Sequence, residues 1–89
     1  MQKRSRMDII GDMLSSIIEK GGKIKPTHLM YKSNMAHKQM GTYLEELVDK
    51  ELVKKMKVNN FDYILITDKG NEFLQKLKQM RDFEKAFGM

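Results

Sequence analysis

Between Glu19 and Glu45 the chain has no acidic residue, while Lys20, Lys23, Lys25, Lys32 and Lys38 all fall inside that gap. A segment that is locally all-cationic suits a surface that faces phosphates. Its polar side chains have the chemistry of nucleic-acid contact. Gln39 can bond an adenine edge, Lys38 a guanine or a phosphate, and Thr42 a thymine methyl or a phosphate. His37 stands beside them, and Gly41 lets a backbone approach closely. Lys32, Ser33 and Asn34 come just before this group. A second cluster follows in Lys54, Lys55 and Lys57 with Asn59 and Asn60, suited to lying across a phosphate backbone or a minor groove. A third, Lys3, Arg4 and Arg6, opens the chain as a candidate basic arm. Each cluster has a plainer reading: a solvated helix face, a charged strand that resists edge aggregation, and a frayed solubilising terminus.

Other chemistries find little support. There is no cysteine, so neither a disulfide nor a thiolate metal site can form. His28 and His37 have no nearby carboxylate pair, so no metal site is expected. No paired carboxylates, activated nucleophile or phosphate-binding glycine loop appears, and neither an enzyme nor a cofactor is expected. The apolar residues come in short clusters, far from the roughly 20-residue run of a membrane helix. The expectation is a soluble cytoplasmic, nucleoid-associated protein. With 89 residues and net charge +5, one small basic unit is implied. Residues 67–89 are nearly balanced, so the excess charge lies in the front two-thirds.

The elements that must position these clusters are legible from periodicity. Met7, Ile10, Leu14 and Ile17 repeat at helical spacing over residues 5–20. Ser5 and Asp8 stand at capping-box spacing, and Gly21-Gly22 ends the helix. Residues 23–25 are short enough to form a single bridge. Pro26 opens a second helix to Lys32, Ser33-Asn34 breaks it, and a third helix runs from about Ala36 to Lys50. Met40, Tyr43, Leu44 and Leu47 mark the buried side of that third helix, which leaves Lys38, Thr42, Glu45 and Asp49 opposite. Residues 52–57 and 61–66 read as a hairpin across Asn59-Asn60. Thr67 caps a last helix reaching about Phe87, roughly 30 Å long. The predicted fold is α+β and mainly helical: helix, strand, helix, helix, strand, wing, strand, helix.

With these elements in place, KRSRMDII at 3–10, GG at 21–22, KPTHLMYKSNM at 25–35, YLEELVDKELV at 43–53 and LITDKG at 65–70 bear a family likeness. The chain resembles the archaeal winged helix-turn-helix transcriptional regulators. It is most similar to the small basic group that dimerises through a C-terminal antiparallel coiled coil. The resemblance implies a DNA-binding unit over residues 1–66, a dimerisation helix over 67–89, and double-stranded DNA as partner. Two departures stand out. Ala36 replaces the usual Ser or Thr at the start of the recognition helix, leaving Ser33 or Asn34 to cap it. Glu51 replaces a glycine before the first wing strand. Only the N-terminal half of a recognition helix reaches base edges, which selects residues 37–42. Glu45 would repel phosphate and mark the end of the footprint.

The last helix carries Phe73, Leu77, Met80 and Phe87 on a repeat of alternating four- and three-residue steps, with Glu84 interrupting one position and Leu74 and Phe83 widening the stripe. Burying Leu77, Met80, Phe83 and Phe87 in each of two chains yields roughly 12–24 kcal/mol. Association costs about 4–15 kcal/mol, so these numbers allow a dimer without requiring one, and it is the resemblance that implies a homodimer. The alternatives are a helix folded back on its own domain, or a winged-helix protein-interaction module whose Met/Phe stripe takes a different partner.

Overall fold

The computed structural model describes residues 4–88. Lys3, the first residue of the expected basic arm, lies outside them. The elements are α1 (Arg6–Glu19), β1 (Lys23–Ile24), α2 (Pro26–Lys32), α3 (His37–Asp49), β2 (Val53–Val58), β3 (Phe61–Ile66) and α4 (Asp68–Ala86). This is the expected order and class. The three strands form one antiparallel sheet in the order β1-β3-β2.

Local chemistry explains the boundaries. The Ser5 hydroxyl accepts from the Asp8 N–H while the Asp8 carboxylate accepts from the Ser5 N–H, closing the capping box of α1. Three helices then end in the same way, with a left-handed residue just past the last turn. After α1 it is Gly21 (φ 82°), and the Gly22 N–H donates back to the Ile17 carbonyl. After α2 it is Asn34 (φ 53°), with the Met35 N–H donating to Met30. After α3 it is Glu51 (φ 62°), with the Leu52 N–H donating to Leu47. The pattern of bonds is that of a Schellman cap. Glu51 therefore holds the glycine role without glycine's freedom, a strained choice that leaves the cap intact. Because Leu52 closes this cap, β2 begins one residue later than expected, at Val53.

The hairpin turns on Asn59 (φ 50°) and Asn60 (φ 68°), both left-handed. Two successive positive φ values define the turn whose twist matches that of paired strands. The register sets Val53 opposite Ile66, Lys55 opposite Ile64, and Val58 opposite Phe61. Alternation along the strands puts Val53, Ile64 and Ile24 on the face that meets the helices, where they are buried with Met13, Leu14, Ile17, Leu29 and Leu47.

The start of α4 is locked to the end of α3. The Thr67 hydroxyl accepts from the Gly70 N–H and lies within bonding distance of the Glu51 and Leu52 carbonyls, at 2.6 and 3.0 Å. A methyl group at Gly70 would sit 2.1 Å from the Leu52 carbonyl oxygen. The LITDKG block thus has a mechanical reason: a cap, and a glycine where two backbones touch. Leu74 and Leu77 then enter the core of their own chain. Arg81 reaches Asp8 on α1 at 2.9 Å. Past that point the side chains of α4 lie in solvent.

Candidate nucleic-acid interface

The N-terminal half of α3 presents an open polar surface without an acidic side chain. His37, Lys38, Gln39, Gly41 and Thr42 are all exposed, while Met40, Leu44 and Leu47 anchor the opposite side in the core. Lys38 has no ion-pair partner among the described residues. The Thr42 hydroxyl donates to the Lys38 carbonyl at 3.2 Å, which leaves its lone pairs outward. A methyl group at Gly41 would meet nothing within 4 Å. Packing inside the chain therefore does not require this glycine, although it costs α3 about 1 kcal/mol relative to alanine.

Ala36 is the N-cap of α3 and provides no side-chain bond. The sequence suggested Ser33 or Asn34 as substitutes, and neither caps this helix. The Ser33 side chain is buried and donates to the Leu29 carbonyl one turn back in α2. Asn34 supplies the left-handed exit of α2. The first N–H groups of α3 therefore point outward with no side-chain acceptor, and with the positive end of the helix dipole behind them.

The flanking basic residues divide. Arg4 does not extend as an arm. Its guanidinium donates to the Ser33 carbonyl (2.6 Å), the Asn34 carbonyl (2.8 Å) and the Asp12 carboxylate (3.0 Å), which pins the helix-turn-helix turn to α1. Arg6 pairs with Glu46 of α3. Lys32 pairs with Glu19 at 2.9 Å. The two arginines thus brace α1 against α2 and α3. Asp8, held by the Ser5 N–H and hydroxyl and by Arg81, has its carboxyl below the ordinary value.

The wing lysines also separate. Strand alternation puts Lys55 and Lys57 on the helix side of the sheet and Lys54 on the outer side. Lys57 lies 3.9 Å from Asp62, an exposed pair of little strength. Asn59 and Asn60 form the wing tip, where both take the left-handed backbone of the turn and are exposed.

Sequence reasoning missed the outer side of the sheet. There Lys23 lies 4.6 Å from the centroid of the Tyr63 ring, and Lys25 lies 4.6 Å from that of Phe61. The signal was available in two alternations, Lys23/Lys25 and Phe61/Tyr63. Among the described residues no cluster of His, Cys, Asp or Glu could hold a metal ion, and no helix is long and apolar enough to cross a membrane.

A sequence model described as winged helix-turn-helix matches residues 3–85. The chain belongs to the winged helix-turn-helix family. Among solved structures, this winged helix-turn-helix chain is similar to Sso10a-2, a DNA-binding protein from Sulfolobus solfataricus. Identity is 20%, with 94% of this chain and 85% of that one covered and a TM-score of 0.82. It is similar also to F93 from STIV, a winged-helix DNA-binding protein, at 14% identity, 94% and 95% coverage and TM-score 0.77. Against the oxidised form of MarR from E. coli the figures are 20%, 89%, 62% and 0.72. A comparison with curated protein sequences found no match. At such identities the structural likeness speaks for the fold, and the function must come from the surface.

Proposed function

We propose that this chain is a DNA-binding protein, acting as a transcriptional regulator or small chromatin protein, that docks the start of α3 on duplex DNA. The observation that carries the reading is Gly41. It lies on the exposed cationic face of α3, weakens the helix, and has no neighbour in its own chain to explain it. Its absent side chain makes sense against an external surface. Support comes also from the open N–H groups before Gln39, from unpaired Lys38, and from the two similar structures described as DNA-binding.

Phosphate contact falls to Lys38, Thr42 and the outward N–H groups of α3, with Lys55 and Lys57 reaching from the wing on the same side of the sheet. Gln39 and His37 are the base-edge candidates. The footprint ends at Glu45, whose charge repels phosphate. No catalytic role is assigned, and no cofactor is invoked. With Arg4, Arg6 and Lys32 held within the chain, affinity rests on few cations. Pairing of two chains then matters, because it doubles them and presents two recognition helices.

The pairing surface is smaller than the sequence implied. Leu74 and Leu77 are already buried in their own chain. Met80, Phe83 and Phe87 remain open, at 49, 57 and 68% exposure. They continue from a groove of about 280 Å³ lined by Met7, Phe73, Lys76, Leu77 and Met80. Each residue is about half available, so six in two chains return about 4.5–9 kcal/mol. That stands against an association cost of about 4–15 kcal/mol. The dimer proposed is thus reversible and concentration-dependent, with residues 67–89 both closing the domain and joining the copies. The experiment is a duplex-binding titration at increasing salt. If Lys38, Lys55 and Lys57 of both chains contact phosphates, affinity falls about 10³-fold between about 50 and 200 mM salt. A flat dependence would contradict the reading.

A further inference from the structure

The outer face of the sheet is turned away from the core and from α3, and it has a composition of its own. Phe61 is 56% exposed, Tyr63 is partly exposed two residues on, and Met56 and Val58 lie across from them on β2. Around this apolar strip stand Lys23, Lys25 and Lys54. The acidic residue of the hairpin, Asp62, points to the opposite face, beside Lys57. Among the described residues, the strands bring no carboxylate to the outer face. An aromatic strip bordered by unopposed lysines fits a partner that offers flat rings and negative charge together.

We propose that this face binds single-stranded DNA. Bases would stack on Phe61 and Tyr63, while Lys23, Lys25 and Lys54 take the phosphates. The spacing selects the unpaired form. Residues i and i+2 on a strand lie roughly 6.6 Å apart, about twice the roughly 3.4 Å between stacked nucleotides in one strand of a duplex. Both rings can therefore be engaged at once only by a strand whose bases have come apart. The lysine ammonium groups now over the two rings are no obstacle. A cation over an exposed ring is held more weakly than a stacked base. An arriving base displaces the ammonium from the ring, and the freed lysine turns to the adjacent phosphate. This inference goes beyond the docking of α3 on duplex and uses none of its residues, so either can fail alone.

The test uses the full chain and a dT oligonucleotide of about ten nucleotides, within the usual length for such platforms. Phe61→Leu with Tyr63→Leu keeps apolar bulk and removes both rings. The expected result is about a hundredfold loss of dT affinity, about tenfold per ring, with duplex affinity unchanged. Unchanged dT affinity in a folded double variant would overturn the proposal. If the variant does not fold, the wild-type chain decides by NMR. Shifts of the Phe61 and Tyr63 ring protons on dT addition support the proposal, and shifts confined to α3 overturn it. An rU oligonucleotide bound more tightly than dT would overturn the assignment to DNA.

Discussion

Replacing Gly41 by alanine should separate stability from binding. In the free protein the new methyl group meets nothing within 4 Å, so no packing penalty offsets the gain in helix propensity. Alanine in place of a helical glycine contributes about 0.5–1 kcal/mol. For a domain of this size, that raises Tm by about 2–8 °C. The scan needs a fixed protein concentration, because a reversible dimer makes Tm concentration-dependent. On duplex DNA the sign reverses. A methyl group where helix and phosphate backbone touch forces them apart, and charge-assisted contacts from Lys38 and Thr42 weaken together. A loss of about tenfold corresponds to about 1.4 kcal/mol, less than one such bond. Gly41→Leu should stabilise similarly and bind more weakly still. Thermal scans and fluorescence anisotropy on the same samples make the comparison. If both variants gain stability and bind duplex as the wild type does, the α3 face is not docked. A fall in Tm would show that the chain itself needs the glycine.

Ala36→Asp should also divide the two properties. It supplies the missing N-cap, worth about 1 kcal/mol, and sets a negative charge where phosphate is expected. Tm should rise and duplex affinity should fall, with parallel changes contradicting the model of an open helix start. Phe83→Glu charges the exposed stripe of α4. Light scattering at high protein concentration should then show a monomer where the wild type shows a dimer, and an unchanged mass would remove Phe83 from the pairing surface. The lowered pKa of Asp8 has a defined sign. Its interactions contribute stability above the unfolded value of 3.8 and lose it as pH falls through the folded value. Asp8→Asn should therefore be less stable than the wild type at neutral pH and nearly equal to it at the acid end, in denaturant titrations at each pH.

What could be read from sequence was what is local. The helical repeat of Met7, Ile10, Leu14 and Ile17, the Gly-Gly and Asn-Asn turns, and the Thr67 cap are each decided within a few residues. What escaped was decided at long range. Arg4 and Arg6 are basic and near an end, which reads as an arm. Only the fold brings them to Ser33, Asn34 and Glu46, 29 to 40 residues away. Lys32 likewise reads as open in sequence, and the fold brings Glu19 to it. The stripe of α4 was correctly seen as apolar, but periodicity does not tell which part a helix buries at home. Leu74 and Leu77 are covered by their own core and Phe83 and Phe87 are not. Ser33-Asn34 is legible as a break, but the expectation that either residue caps α3 fails, because Asn34 turns left-handed to end α2 and Ser33 bonds back into that helix.

The most direct measurement is duplex affinity across a salt series for the wild type and for Lys38→Glu with Thr42→Ala. Both residues are exposed, so the fold should persist, as circular dichroism can check. The wild type should show a slope of log affinity on log salt of about −5, from about six phosphates in a dimer. The variant should bind at least tenfold more weakly at low salt, with the slope reduced by about two. Equal affinity and equal slope in a folded variant would mean that α3 does not meet DNA.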